Sequence, residues 1–224
     1  FTRNVSAYIA ISHFLKGQLV DAGFPAEKIA VVHNMAQVPE RAGDAAQGQY
    51  AAFVGRLSDE KGVDTLIAAA KLAPEIPMRI AGGGELREAL ERGAPANVRF
   101  VGMLDRDALA DFYANARFAV VPSAWWETFG LVAVEAMGHG LPVVAARMGA
   151  LPEIVQDGET GLLFPAGDAQ ALAQAMRALW SEPAKCAAMG AAGRARAVSA
   201  FSRDQYLEGL MNVYQRVIAR ENAA

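Results

Sequence analysis

From residue 50 to residue 164 the chain alternates between two apolar rhythms. Short runs that are apolar throughout are followed by stretches whose apolar residues recur every third or fourth position. YAAFVG (50–55) is an apolar strand run, and VDTLIAAAKLA (63–73) has helical spacing. The pattern continues as MRIAG (78–82) then ELREALERG (85–93), and VRFVG (98–102) then DALADFYANA (107–116). FAVVPS (118–123) then GLVAVEAMGHG (130–140) follow, and LPVVAA (141–146) and TGLLF (160–164) add two more strands. Strands this short and this continuously apolar, alternating with helices, predict a parallel sheet covered on both faces. The fold class expected is therefore α/β, a Rossmann-like doubly wound parallel sheet with C-terminal helices. Gly93 is read as a helix C-cap. Asp168 is expected to start a helix, and Pro183 to sit in the first turn of the next. Ser202 and Gln205 have the spacing of a capping box for a last helix running to about Arg220.

Upstream, AYIAIS (7–12), a helix from Phe14 to Ala22 and KIAVVHN (28–34) read as strand, helix and strand. The polar, Ala- and Gly-rich stretch from Gln37 to Gln49 reads as a linker. The ranges this implies are 1–36, 37–49, 50–200 and a C-terminal helix over 201–224.

Composition narrows the functional classes. With 53% apolar and 20% charged residues, the chain can bury a real core. A net charge of −3 supplies no basic field, which argues against nucleic acid as a partner. The single Cys186 excludes an internal disulfide and a cysteine metal site, and it is read as a small buried hydrophobe. No His/Cys/Asp cluster has metal-ligand spacing, so no metal is expected. No apolar run approaches the roughly 18 residues of a membrane span. The cytoplasm is the expected compartment, and the start at Phe1 rather than Met points to a piece of a longer protein.

In an open α/β sheet, ligands bind beyond the carboxyl ends of the strands, and four loops there carry suggestive residues. Gly55 to Gly62 (GRLSDEKG) presents Arg56 and Lys61, a fork and a point charge suited to a diphosphate; an exposed turn with incidental charges is the plainer reading. Ala81 to Glu85 (AGGGE), with Gly83 and Gly84, permits close backbone approach, and the helix after it is expected to offer free amides. Arg87 stands where the dinucleotide fingerprint needs its last glycine, which disfavours NAD. Val101, Gly102 and Met103 lie where main-chain groups can meet a base edge, with core packing an equal alternative for Met103. Ser123 to Gly140 (SAWWETFGLVAVEAMGHG) places Glu127 before a helix starting near Gly130, and Glu135 over one turn inside it. The amides of Phe129, Gly130, Leu131 and Val132 would be the unpaired donors of that helix N-terminus, an anion site flanked by two carboxylates. The structural alternative makes Glu127 a first-turn carboxylate and Glu135 a solvated one. Trp125 and Trp126 are read as packing residues rather than carbohydrate platforms.

Taken in order, FVGRLSDEKGVDTLI, IAGGGELRE, VRFVGML, VVPSAWWETFGLVAVEAMGHGLPVVAA and ALPEIVQDGETGLLFPAGD resemble glycosyltransferase family 4, retaining enzymes of GT-B architecture. The opening AISHFLKGQLVDAGFPAEKIAVVHN resembles the end of that family's N-terminal domain. Asn34-Met35 departs from a commoner Asn-Gly, and the Gly-Gly-Gly of the second loop from a commoner Gly-Asp-Gly. The resemblance implies a nucleotide-diphospho-sugar donor, UDP or GDP linked, and no metal. It implies Arg56 and Lys61 on the diphosphate, and Glu127 on the transferred sugar with the amides of Phe129 and Gly130. It further implies Glu135 on the ribose, Leu131 and Val132 amides near the phosphates, and Val101 to Met103 at the base. Gly55, Gly83 and Gly84 would border the donor. The partner implied is an N-terminal acceptor-binding domain, of which residues 1–36 are the last part; a peripheral membrane position would belong to that half.

Overall fold

The computed structural model describes residues 5–222; residues 1–4 and 223–224 of the first and last ranges lie outside the described residues. Two sheets are present. β1 (Tyr8–Ala10) and β2 (Ile29–Val31) pair in parallel, joined by helix α1 (His13–Asp21). The large sheet has six parallel strands in the spatial order β5-β4-β3-β6-β7-β8. These are β3 (Tyr50–Val54), β4 (Met78–Ala81), β5 (Val98–Gly102), β6 (Ala116–Val121), β7 (Val143–Ala146) and β8 (Gly161–Phe164). Between them run α2 (Val63–Leu72), α3 (Arg87–Gly93), α4 (Arg106–Ala114), α5 (Leu131–Gly138) and the short α6 (Leu151–Ile154). After the sheet come α7 (Ala169–Trp180), α8 (Pro183–Ala200) and α9 (Arg203–Glu221).

The continuously apolar strand runs have the expected cause. Tyr50, Ala51, Ala52 and Phe53 of β3 and all four residues of β7 are buried, so both faces of the sheet are covered. α2 packs on α7 and α5 on α8, closing one core that runs from Ala36 to Phe201. Strand order reverses between β3 and β6. Their following loops leave the sheet on opposite sides and open a crevice, where a doubly wound sheet binds its ligand.

Several termini follow the local signals. The Asp168 carboxylate accepts from the Ala171 amide and caps α7, and Pro183 opens α8. At α9 only half the capping box forms: Ser202 accepts from the Gln205 amide, but the Gln205 side chain turns to Glu208. Gly93 is not a C-cap. It is the last helical residue, and the cap is Ala94 in extended backbone, because the ring of Pro95 disfavours helical geometry in the residue before it. The 37–49 stretch is fastened down rather than loose. A 3-10 turn at Ala45–Gln47 packs on α8, and the Arg194 guanidinium donates to the carbonyls of Pro39, Glu40 and Gly138.

The end of α2 depends on a residue outside it. The Asn97 amide nitrogen donates to the carbonyls of Ala70, Ala73 and Ile76 at 3.2, 3.2 and 2.9 Å. Asn97→Ala removes that donor and is expected to cost about 1–3 kcal/mol. A lower urea midpoint with an unchanged m-value would show it.

Candidate functional site

The loops after β3 and β6 meet at the crevice and are joined by hydrogen bonds. The Glu60 carbonyl accepts from the Ala124 and Trp125 amides at 3.0 and 3.2 Å. Gly62 has φ +64° and packs so closely on Pro122 that a Cβ there would lie 2.3 Å from the Pro122 oxygen. This contact brings Lys61 against Glu127: Nζ is 2.6 Å from Oε1, with the side chains 30% and 18% exposed. Ser123 Oγ donates to the same carboxylate oxygen at 2.7 Å. Arg56 lies on the same loop but is engaged elsewhere, on Glu60 at 2.7 Å.

Beyond Glu127, Gly130 caps α5 with φ +93°, a left-handed conformation that glycine adopts without strain. The amides of Phe129, Gly130, Leu131 and Val132 bond to no other described residue, since the first helical bonds run from Ala133 and Val134 to the Gly130 carbonyl. A ready anion site therefore stands beside a lysine and a carboxylate.

The glycine-rich loop after β4 is laced to the first loop by Leu57 N to Gly83 O at 2.9 Å and Leu86 N to Leu57 O at 3.2 Å. The helix after it offers free amides only in part: those of Glu88 and Ala89 bond to no other described residue. α3 starts at Arg87, whose amide bonds Gly84 O, and the Leu86 amide is already used. Gly84 is dictated by packing, because a Cβ would meet the Leu57 oxygen at 2.3 Å. Gly83 instead faces the Met103 side chain at ordinary contact distance. Met103 itself is 84% exposed, so core packing is not its role; Val101 is half-buried, and Gly102 takes φ +78° at the end of β5.

Glu135 is set apart from Lys61 and Glu127. It lines a groove of about 860 Å³ between α4, α5 and the strap at Met35–Glu40, together with Tyr113, Leu131 and His139. Glu135 is half-buried rather than solvated, and burial raises its pKa. Burial, followed by the nearby Arg194, lowers that of His139. His33, packed against Phe129 and Phe201, is lowered chiefly by burial, with Glu153 opposing. Folded protein thus holds the Glu135 proton more tightly than the unfolded chain, and the two histidine protons less tightly. Glu135 costs stability as pH rises above the ordinary carboxylate value of 4.5, and His33 and His139 cost it as pH falls below 6.5. Because the two contributions oppose as pH falls, the histidine share is read as a difference: from about pH 7.5 to about pH 5.5 the urea midpoints of His33→Gln and His139→Gln variants are expected to rise relative to the parent's.

Two features had no usable sequence signal. Ser123 ends an apolar strand run like any strand-terminal serine, and its contact with Glu127 appears only in three dimensions. Trp125 and Trp126 are 69% and 56% exposed, so neither is a core residue, although Trp126 keeps an edge contact with Phe14. The loop that holds the Glu127 carboxylate turns both rings outward. Cys186 is buried as read, its thiol donating to the Leu179 carbonyl, and burial pushes its pKa to about 11.

Comparison with known proteins decides the family. The family model for glycosyl transferases group 1 matches residues 36–196. The chain belongs to the group 1 glycosyltransferases. D-inositol 3-phosphate glycosyltransferase of Mycolicibacterium paratuberculosis is 37% identical over 177 residues, 75% of this chain and 40% of that protein. Alpha-maltose-1-phosphate synthase of Mycolicibacterium smegmatis is 34% identical over 186 residues, 75% of this chain and 48% of that protein. The chain thus spans less than half the length of these two relatives. Among solved structures, sucrose-phosphate synthase from Thermosynechococcus elongatus superposes with a TM-score of 0.87 at 29% identity, covering 98% of this chain and 60% of that one. Anabaena HepE, solved in complex with UDP and glucose, gives 0.80 at 25% identity, covering 100% and 65%. The six-stranded Rossmann-like sheet matches these glycosyltransferases, which have GT-B architecture. No helix among the described residues is long and apolar enough to cross a membrane.

Proposed function

We propose that this chain is the donor-binding part of a retaining glycosyltransferase that takes a sugar from a nucleotide-diphospho-sugar. The observation that carries the reading is the Lys61–Glu127 pair at the switch point of the sheet, beside the four unbonded amides at 129–132. A diphosphate fits that helix N-terminus, with Lys61 and Arg56 supplying the countercharge a metal ion would otherwise bring. As the bond to the leaving nucleoside diphosphate breaks, charge grows on its phosphate oxygens, and these two cations stabilise it. Glu127 accepts hydrogen bonds from hydroxyls of the transferred sugar, and Leu131 and Val132 amides face the phosphates. Gly55, Gly83 and Gly84 border the donor, the ribose lies toward Glu135, and the base meets the main chain at Val101 to Met103. UDP in complexes of HepE supports a uridine donor, with GDP as the other candidate.

In the same reading, residues 1–36 end an acceptor-binding domain, 37–49 join it to the donor domain, and α9 closes the chain. The short span relative to its relatives supports this, and the isolated chain is expected to bind nucleotide without efficient transfer. Calorimetric titration with UDP, GDP and ADP tests the reading. Binding of one nucleotide, lost in an Arg56→Ala, Lys61→Ala double variant, is the expected result. Binding that survives the double variant would place the diphosphate elsewhere.

A further inference from the structure

The loop that carries Glu127 is held from one side by the small β1–α1–β2 unit. Phe14 stands edge-on to Trp126, with ring centroids 5.7 Å apart. Ser12 is fully buried; its hydroxyl donates to the Thr128 carbonyl at 2.6 Å and accepts from the Leu15 amide at 3.0 Å. The His33 ring lies 6.0 Å from that of Phe129, which also packs edge-on to Phe201. Residues 126, 128 and 129 are therefore each gripped by a different residue of the small unit, while 127 is passed over. On the other side, the Ala150 amide donates to the Glu127 carbonyl at 2.8 Å. With its main chain pinned, Glu127 has its side chain turned to Ser123 and Lys61.

The gripping unit is itself anchored to the large domain. Amides of His13 and Phe14, at the start of α1, donate to the two carboxylate oxygens of Glu153 at 2.8 and 2.5 Å. A carboxylate suits the positive end of a helix dipole. Arg196 in turn donates to the carbonyls of Glu153 and Ile154 at 2.7 and 3.0 Å, holding α6 in place.

We propose that Ser12, Phe14 and His33 are positioning residues, which fix the Glu127 carboxylate by immobilising the three residues around it. The small unit and the Glu127–Lys61 pair then form one mechanical element, and a displacement of the unit shifts the carboxylate. A site group keeps one geometry when the residues around it are themselves locked by packing and hydrogen bonds. The kinetic consequence rests on the proposed transfer reaction; the coupling itself does not.

Hydrogen exchange on this chain, read by mass spectrometry, tests the coupling. In Ser12→Ala and Phe14→Ala, the bonded amides at this loop, those of Ala124, Trp125 and Ala150, are expected to exchange about tenfold faster or more, with β3 at its native rate. Phe14 is a partly exposed contact, so its variant folds even if Ser12→Ala does not. Faster exchange confined to residues 8–33, or spread evenly over β3 to β8, would overturn the proposal. In the full-length enzyme, Phe14→Ala should lower kcat about fivefold or more with the donor KM within about twofold, and Phe14→Tyr should restore it. Equal losses in both constants would overturn it as well. The exchange measurement reads the coupling whatever the substrate, so an error in the proposed function and an error here give different results.

Discussion

Lys61→Ala is expected to weaken nucleotide binding by about 10- to 100-fold while leaving the fold almost as stable as before. The two halves of that expectation have separate causes. Lys61 and Glu127 are partly exposed, and ion pairs in contact with solvent contribute about 0–1 kcal/mol. Glu127 also keeps its hydrogen bond from Ser123 when the lysine is gone. A charged hydrogen bond to a phosphate, by contrast, contributes about 1.5–3 kcal/mol, and each 1.4 kcal/mol is about tenfold in affinity. Binding of the diphosphate must draw Lys61 from Glu127, or share it. Glu127→Gln, which weakens that competition, is therefore expected to hold or tighten the affinity for nucleotide alone while abolishing most sugar transfer in the full enzyme. Titration calorimetry with the preferred nucleotide and urea unfolding separate these effects. A Lys61→Ala protein that binds nucleotide as well as the parent would leave the lysine to Glu127 alone, with no part in holding phosphate.

How much of this was readable beforehand varied with how local its cause is. The strands of the large sheet were legible because burial on both faces forces every position to be apolar, a constraint that leaves a mark in sequence. Arg56 and Lys61 stood out only by their place, at the carboxyl end of a strand where such sheets bind ligands, since charge in an exposed loop costs nothing by itself. Glu127 and Lys61, 66 positions apart, could be brought together only by the reversal of strand order between β3 and β6. The C-cap at Gly93 was misread because proline two residues on dictates the same helix end by another route. Exposure of Trp125 and Trp126 follows from which way a loop turns, and loop direction is decided by contacts such as Ser12 with Thr128, more than a hundred residues distant. α6 is four residues long, has no side-chain N-cap and is held at its last carbonyls by the distant Arg196, so no periodicity announces it.

Gly82→Ala is expected to unfold the chain or cost about 3 kcal/mol or more, whereas Gly83→Ala next to it should cost less than about 1 kcal/mol. At Gly82, φ is +137° and an added Cβ would lie 1.9 Å from the Gly55 carbonyl oxygen. That oxygen is main chain, on a loop tied to β4 by the Gly55 amide and the Ala81 carbonyl, so it has no rotamer by which to yield. Movement there would pull the Gly82 amide off the Gly102 carbonyl and part the loops of β3, β4 and β5 together. At Gly83 the new methyl would meet Met103 Cγ at 3.5 Å, an ordinary contact with a flexible, exposed side chain. The three consecutive glycines therefore serve different ends: the outer two let backbones cross, and the middle one is not required by packing. Thermal unfolding of the two variants measures the contrast. If Gly83→Ala keeps its melting temperature but loses nucleotide affinity, the ligand itself is what demands a glycine at that position. If it keeps both, Gly83 lies clear of the donor, and the base and ribose pass Met103 on its other side.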